Sequence, residues 1–160
     1  MRKVYFNAFR PIKNSPLEGL PPASLLRAHR LCQTDWLLRV YGFSTQEIEL
    51  ALGKGGNLPP RKDTKLVIAE KQPWLFPVDV NQASYDELLR VPGIRPVSAR
   101  RITETRQEHS TFSIEQLRKM QVDVRRALPF IWSRACSAGR KKNNCPFCHG
   151  SMRHPSQYLR

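Results

Sequence analysis

The sequence predicts a mostly α-helical protein. Three serines, Ser44, Ser84 and Ser113, each precede an apolar run and are followed three residues later by Glu or Gln. This spacing is typical of a capping box, in which the serine and the Glu or Gln side chain bind each other's backbone amides at a helix start. Prolines and glycines between the runs predict where helices end. With 160 residues, the chain is long enough for one ordinary domain or two small ones.

The clearest helical pair spans residues 84–102. Pro92 ends the first helix because it lacks an amide and disfavours helical geometry in Val91, and Gly93 can adopt the positive φ of a reversal. Pro96 suits the first position of a second helix, where an amide would be unpaired anyway. Three side chains of the second helix are predicted to pack back on the first: Val97, Ala99 and Ile102.

This turn predicts an anion site. It is expected to leave the amides of Gly93, Ile94 and Arg95 free beside the positive end of a helix dipole, where anionic oxygens bind well. None of these groups reads a base edge, so the prediction is affinity for a nucleic-acid backbone without sequence preference. The candidate binding residues are Pro92, Gly93, Ile94, Arg95, Val97, Ser98, Arg100 and Arg101.

Residues 81–94, Asn-Gln-Ala-Ser-Tyr-Asp-Glu-Leu-Leu-Arg-Val-Pro-Gly-Ile, and residues 96–102, Pro-Val-Ser-Ala-Arg-Arg-Ile, resemble the helix-hairpin-helix DNA-binding motif. The resemblance implies DNA as the partner. That family usually has glycine where Arg95 stands. Because Arg95 precedes proline, it is pushed towards extended geometry, which leaves its side chain to compensate for a misdirected amide.

The charge distribution favours the same partner. The chain carries 27 Lys and Arg against 13 Asp and Glu, a formal net charge of +14, with a pI near 10.3. Residues 1–89 hold 12 basic and 9 acidic groups, whereas residues 90–142 hold 13 and 4. A charge that served only solubility would not be concentrated after residue 90, so the clustering favours a binding face.

A second, degenerate hairpin is predicted downstream. A shift of 29 residues places Leu117, Met120 and Ile131 over Leu88, Val91 and Ile102. The second turn lacks glycine, and Asp123 would repel phosphate, so we assign this half to support. Four basic residues there fit either flanking DNA contacts or a solvated helix face: Arg118, Lys119, Arg125 and Arg126.

The N-terminal part predicts a strand at residues 3–9 and helices at residues 24–41, 45–52 and 64–73. The helix at 24–41 offers six apolar side chains for burial: Leu25, Leu26, Leu31, Leu37, Leu38 and Tyr41. The strand has no evident partner in the chain. It must therefore pair outside the chain, or the segment is not a strand.

Five segments and the hairpin are similar to the C-terminal part of a radical SAM family regarded as DNA modification or repair enzymes. The segments are residues 4–12, 21–22, 27–31, 35–43 and 76–81. The resemblance covers about residues 3–131. It implies that the orphan strand is the last strand of a radical SAM barrel and that the 24–41 helix packs on it. A radical SAM barrel chain would then be a partner.

The family's iron-sulfur cluster needs a Cys-x-x-x-Cys-x-x-Cys loop, which the four cysteines, Cys32, Cys136, Cys145 and Cys148, do not provide. The cluster and SAM would belong to an upstream region. We therefore expect no cofactor in this chain and no catalysis by it alone, and we assign no catalytic residue. The chain fits a truncated product, a subunit that completes another chain's barrel, or a free-standing binding module.

The C-terminal tail contains Cys145-Pro-Phe-Cys148-His149, with His154 five residues further on. The spacing suits zinc but supplies no second Cys pair, so we favour a disordered basic tail with free thiols and assign no metal residue. The Cys-x-x-Cys-His pattern of haem attachment is rejected because the start, Met-Arg-Lys-Val, lacks a signal-peptide apolar region.

The predicted organisation has four parts. Residues 1–57 form a barrel-end-like strand with helices, 58–75 a linker with a short helix, 76–132 the helix-hairpin-helix domain, and 133–160 the tail. No apolar run reaches the length of a membrane span, and we expect a cytoplasmic protein. The alternative function is a protein-interaction subunit that docks on a partial barrel, with the hairpin only structural.

Overall fold

The computed structural model describes residues 4–106 and 112–132, and the mostly helical fold predicted from the sequence is confirmed. The chain divides into two compact units at residues 68 and 69. None of the described helices is both long and apolar enough to cross a membrane. The described helices are α1 (Leu25–Arg39), α2 (Thr45–Leu50), α3 (Thr64–Lys71), α4 (Tyr85–Arg90), α5 (Pro96–Thr105), α6 (Ile114–Lys119) and α7 (Val124–Ala127).

The first unit is a small helical core. Ser24 caps α1 by accepting the amide of Leu26, and Ser44 and Glu47 form the predicted capping box of α2. Although the sequence places α3 in a linker at residues 58–75, its side chains enter this core. The core residues are Leu37, Phe43, Ile48, Ala51, Val67 and Ile68.

The N-terminal segment forms no strand among the described residues. Residues 4–10 have no ladder partner, since the only described sheet joins two later strands. The segment instead makes isolated contacts: the Phe9 carbonyl accepts the amide of Ala23, and the Phe6 carbonyl accepts the Cys32 thiol. Burial of Leu25 and Leu26 is also wrong, because these side chains are 67% and 53% exposed.

The second unit pairs α4 with α5 and α6 with α7. Two short strands, β1 (Val78–Asp79) and β2 (Ile131–Trp132), form a parallel pair that the sequence did not predict. Short 3-10 turns precede each strand, at Pro73–Leu75 and Leu128–Phe130. The fully buried side chains at the centre of this unit include Leu88, Leu89, Val91, Ile102, Phe112, Leu117 and Ile131.

A half-buried arginine, Arg106, ties the end of α5 to the segment that leads into α4. The Arg106 guanidinium donates to the carbonyl oxygen of Val80 at 2.7 and 3.1 Å and also to that of Ala83. Desolvation by burial lowers the pKa of Arg106. Nearby, the side-chain oxygen of Asn81 accepts the amide of Phe112, just before α6. These bonds join the segment before α4 to the end of α5 and to the start of α6, and so hold the α4–α5 and α6–α7 hairpins together.

The turn between α6 and α7 uses a left-handed residue that is not glycine. Gln121 has φ of 63°, its amide donates to Arg118, and the amide of Val122 donates to Leu117. This hydrogen-bond pattern is that of a Schellman motif, in which glycine is the usual left-handed residue. A side chain at this position costs stability.

We expect Gln121→Gly to raise the free energy of unfolding by about 1 kcal/mol, because glycine adopts positive φ without the Cβ penalty. The Gln121 side chain is exposed, and its carbonyl remains in the variant. Urea denaturation of both proteins measures the difference. An unchanged or lowered stability would contradict this account of the turn.

Candidate nucleic-acid interface

The turn between α4 and α5 is a tight β-turn. Val91 ends α4 with φ of −70° and ψ of 122°, Gly93 has the predicted positive φ, at 89°, and the amide of Ile94 donates to the Val91 carbonyl at 3.2 Å. The last bond corrects one expectation. The Ile94 amide closes the turn, so it is not a free donor for a phosphate.

Gly93 is where the two hairpins meet. A Cβ built on it would lie 2.5 Å from the Asp123 carbonyl oxygen, 3.1 Å from the Ala127 nitrogen and 3.2 Å from the Arg126 Cβ. The Gly93 carbonyl accepts the amide of Asp123 at 3.0 Å. The second turn therefore packs directly on the backbone of the first, and any side chain at Gly93 would push them apart.

The N-terminus of α5 is open. No described side chain caps it, Pro96 has no amide, and the first helical bond runs from the amide of Ala99 to the carbonyl of Arg95 at 2.8 Å. The amides of Gly93, Arg95 and Val97 meet no described acceptor. Since a helix N-terminus carries partial positive charge, these donors suit an anionic oxygen.

Exposed side chains surround this helix end. Arg95, Arg100 and Arg101 are exposed, and neither Arg100 nor Arg101 pairs with any carboxylate in the described part of the chain. The Arg95 guanidinium lies 3.5 Å from the carbonyl oxygen of Gln121, in the turn between α6 and α7. Val97 was predicted to pack on α4, but it is 55% exposed. The cations and one apolar side chain therefore face solvent together.

The other candidate residues build the turn from inside. Pro92, Ile94 and Ser98 are fully buried. The Ser98 hydroxyl donates to the Gln121 carbonyl at 3.0 Å, so it joins α5 to the second turn. Their side chains cannot meet a ligand at the surface. The exposed members of the predicted set are Arg95, Val97, Arg100 and Arg101.

The second hairpin, α6 and α7, resembles the first, but a side chain caps the N-terminus of its second helix. Ser113 and Gln116 form a capping box before α6, as Ser84 and Glu87 do before α4. The N-terminus of α7, however, is capped by the Asp123 carboxylate, which accepts the amide of Arg126 at 3.4 Å. A carboxylate at that position both occupies the donor and repels an anion. Sequence reasoning missed the backbone contact of Asp123 with Gly93, which no local pattern signals.

The hydrogen bonds of the α4 capping box favour the charged form of Glu87. The Glu87 carboxylate accepts the Ser84 amide at 2.7 Å, and the Ser84 hydroxyl accepts the Glu87 amide at 3.2 Å. The hydrogen bond from the Ser84 backbone, followed by that from its side chain, lowers the pKa of Glu87. The helix that leads into the candidate turn is thus held by a charged cap.

The described residues contain no group of three or more His, Cys, Asp and Glu side chains arranged to hold a metal ion. Cys32 is a free thiol on α1. The tail residues considered for zinc, Cys145, Cys148, His149 and His154, lie outside the described residues, as does Cys136.

We expect Gly93→Ala to lower the free energy of unfolding by roughly 2–4 kcal/mol, because positive φ and overlap with the Asp123 carbonyl add together. Gly42→Ala is the matched control. Gly42 also has positive φ, at 68°, but nothing lies within 4 Å of its missing Cβ, so its variant should lose only about 1 kcal/mol. Urea denaturation measures both, and equal losses would contradict the packing argument.

We expect the capping box of α4 to make stability depend on pH through Glu87. A depressed pKa in the folded state means that Glu87 stabilises the fold above its unfolded pKa, about 4.3, and that this contribution is lost as the pH falls through its folded pKa. In Glu87→Gln the cap can persist, as it does with Gln116, but the titration disappears. The stability difference between the two proteins should be constant near neutral pH and change below about pH 4.3. Urea denaturation across a pH series measures it, and a difference independent of pH would contradict the charged cap.

One part of the second unit matches a known protein family. Residues 77–122 match the family of the helix-hairpin-helix motif. The match covers α4, the Gly93 turn, α5 and α6, and it includes every candidate binding residue. Neither curated proteins nor solved structures give a match to the chain. Residues 77–122 therefore carry a helix-hairpin-helix motif, as the sequence predicted.

Proposed function

We propose that this protein binds DNA through its phosphate backbone, without sequence preference, at the turn between α4 and α5. One observation carries the proposal: a helix-hairpin-helix motif contains an uncapped helix N-terminus with exposed Arg95 at its start and exposed Arg100 and Arg101 further along the same helix. Amides and arginines are groups that position a nucleic-acid backbone without reading bases.

The division of roles follows from the geometry. The amides of Gly93, Arg95 and Val97 supply fixed donors beside the helix dipole, and they meet no described acceptor. Arg100 and Arg101 supply mobile charge on the exposed face of α5. Arg95 stands where the motif usually has glycine, so its guanidinium adds a cation at the mouth of the turn.

Such a site binds weakly when used once. Non-specific affinities lie around 10⁻⁴ to 10⁻⁶ M at physiological salt, and binding weakens with salt because phosphate contacts release condensed cations. The proposed site should therefore act by holding DNA near another activity, or by adding to contacts made elsewhere.

For the larger context we propose presentation of DNA to a radical SAM active site, as the sequence resemblance implies. A second candidate is a protein-interaction subunit that docks on a partial barrel. Both are supported by the first unit, in which Leu25, Leu26 and Trp36 are at least half exposed. Aggregation of the isolated chain that is cured by a barrel-bearing partner would favour docking.

The test is fluorescence-anisotropy binding to single-stranded and double-stranded DNA across a salt series. We expect the double variant Arg95→Glu, Arg101→Glu to weaken binding more than tenfold and to reduce the salt slope by about 2, because two phosphate contacts become repulsive. The control is Arg10→Glu, Arg27→Glu, which changes the charge equally at two exposed arginines of the first unit.

Three results would count against the hairpin. Equal losses in both double variants would indicate attraction by overall charge. Full binding by the hairpin variant would place the site elsewhere. No binding by the unaltered protein would leave the docking subunit as the better candidate.

A further inference from the structure

We infer that Arg126, on the second hairpin, contacts the same phosphate backbone as the first hairpin, so that the site is composite. The inference rests on the proposed function and adds a binding residue to it. The second hairpin would then contribute a cation from its side chain while its own helix end stays closed.

Arg126 lies beside the turn between α4 and α5. The Arg126 Cβ lies 3.2 Å from the place that a Gly93 Cβ would occupy, so this arginine side chain starts beside the turn. Arg126 is exposed. Its separation from the turn is shorter than an extended arginine side chain, and its guanidinium can therefore reach an anion that is bound by the amides next to Gly93.

That position is held from both sides. Asp123 donates its amide to the Gly93 carbonyl, and the nitrogen of Ala127, which is fully buried, lies 3.1 Å from the missing Cβ. Arg126 sits between these two anchors on the first turn of α7. Less entropy is therefore lost in placing its side chain than for an arginine on an unanchored loop.

A cation beside the Gly93 turn offsets the negative charge of Asp123. Asp123 is exposed beside the turn and its carboxylate lowers the attraction of the turn for phosphate, while Arg95 and Arg126 supply cations there from the two hairpins. Because Asp123 already accepts the Arg126 amide, α7 has no open N-terminus to offer. The Arg126 side chain can nevertheless bring a cation of the second hairpin to the anion.

Other basic residues of the second hairpin are placed differently. Arg118 and Lys119 lie in the last turn of α6, where a cation stabilises the negative end of the helix. Arg118 is exposed and is not among the residues nearest to the missing Gly93 Cβ, so it provides a control of equal charge.

The experiment compares Arg126→Gln with Arg118→Gln in the full chain, using a fluorescein-labelled oligothymidylate strand and a labelled duplex across a salt series. We expect Arg126→Gln to weaken binding roughly three- to tenfold and to lower the salt slope by about 1, and Arg118→Gln to change affinity less than about twofold. Arg126→Lys, which keeps the charge, should restore most of the affinity.

Equal effects of the two glutamine variants, or no rescue by lysine, would overturn the inference. The double variant Arg95→Glu, Arg101→Glu separates this failure from that of the proposed function. If that variant loses binding while Arg126→Gln retains it, the first hairpin binds alone. If that variant binds normally, the hairpin site itself is wrong.

Discussion

The second unit depends on one backbone contact, the packing of the turn between α6 and α7 on Gly93. Because Gly93 has no side chain, its carbonyl accepts the Asp123 amide, and the Asp123 carbonyl oxygen lies 2.5 Å from where a Gly93 Cβ would be. This approach brings the Gln121 carbonyl within reach of Ser98 and Arg95. The direction of α5, and so the place where its N-terminus meets solvent, follows from that contact.

The two hairpins share a local design and differ in their helix ends. Both begin with a serine capping box and use a positive-φ residue at the turn, Gly93 in one and Gln121 in the other. The first leaves the N-terminus of α5 without a side-chain cap, whereas Asp123 caps α7. The two copies therefore differ in whether a side chain caps the N-terminus of their second helix.

Local features of this fold could be predicted from the sequence. The capping boxes, the helix start at Pro96 and the positive φ of Gly93 each depend on a few adjacent residues. The exposed arginines also followed from composition. The helix-hairpin-helix motif was recognisable because its signals are of this local kind.

Features set by distant residues could not be predicted. The β1–β2 pair joins residues more than fifty positions apart, and two-residue strands carry no periodicity. The exposure of Val97 and the burial of Ser98 depend on where the second turn lies against α5. For residues 3–9 the sequence allowed either a strand that pairs outside the chain or no strand, and the described residues 4–9 form no strand. Strand propensity alone does not make a strand without a neighbouring strand.

The parallel pairing of β1 with β2 also has a mechanical consequence. Val78 and Ile131 are partners, and the Val80 amide donates to Trp132, so the chain entering the hairpin pair is tied by backbone bonds to the chain leaving it. A force applied to the chain at Trp132 acts first on these backbone hydrogen bonds and not on the contact between Gly93 and the α6–α7 turn. The hairpin turns are thereby shielded from tension transmitted along the backbone.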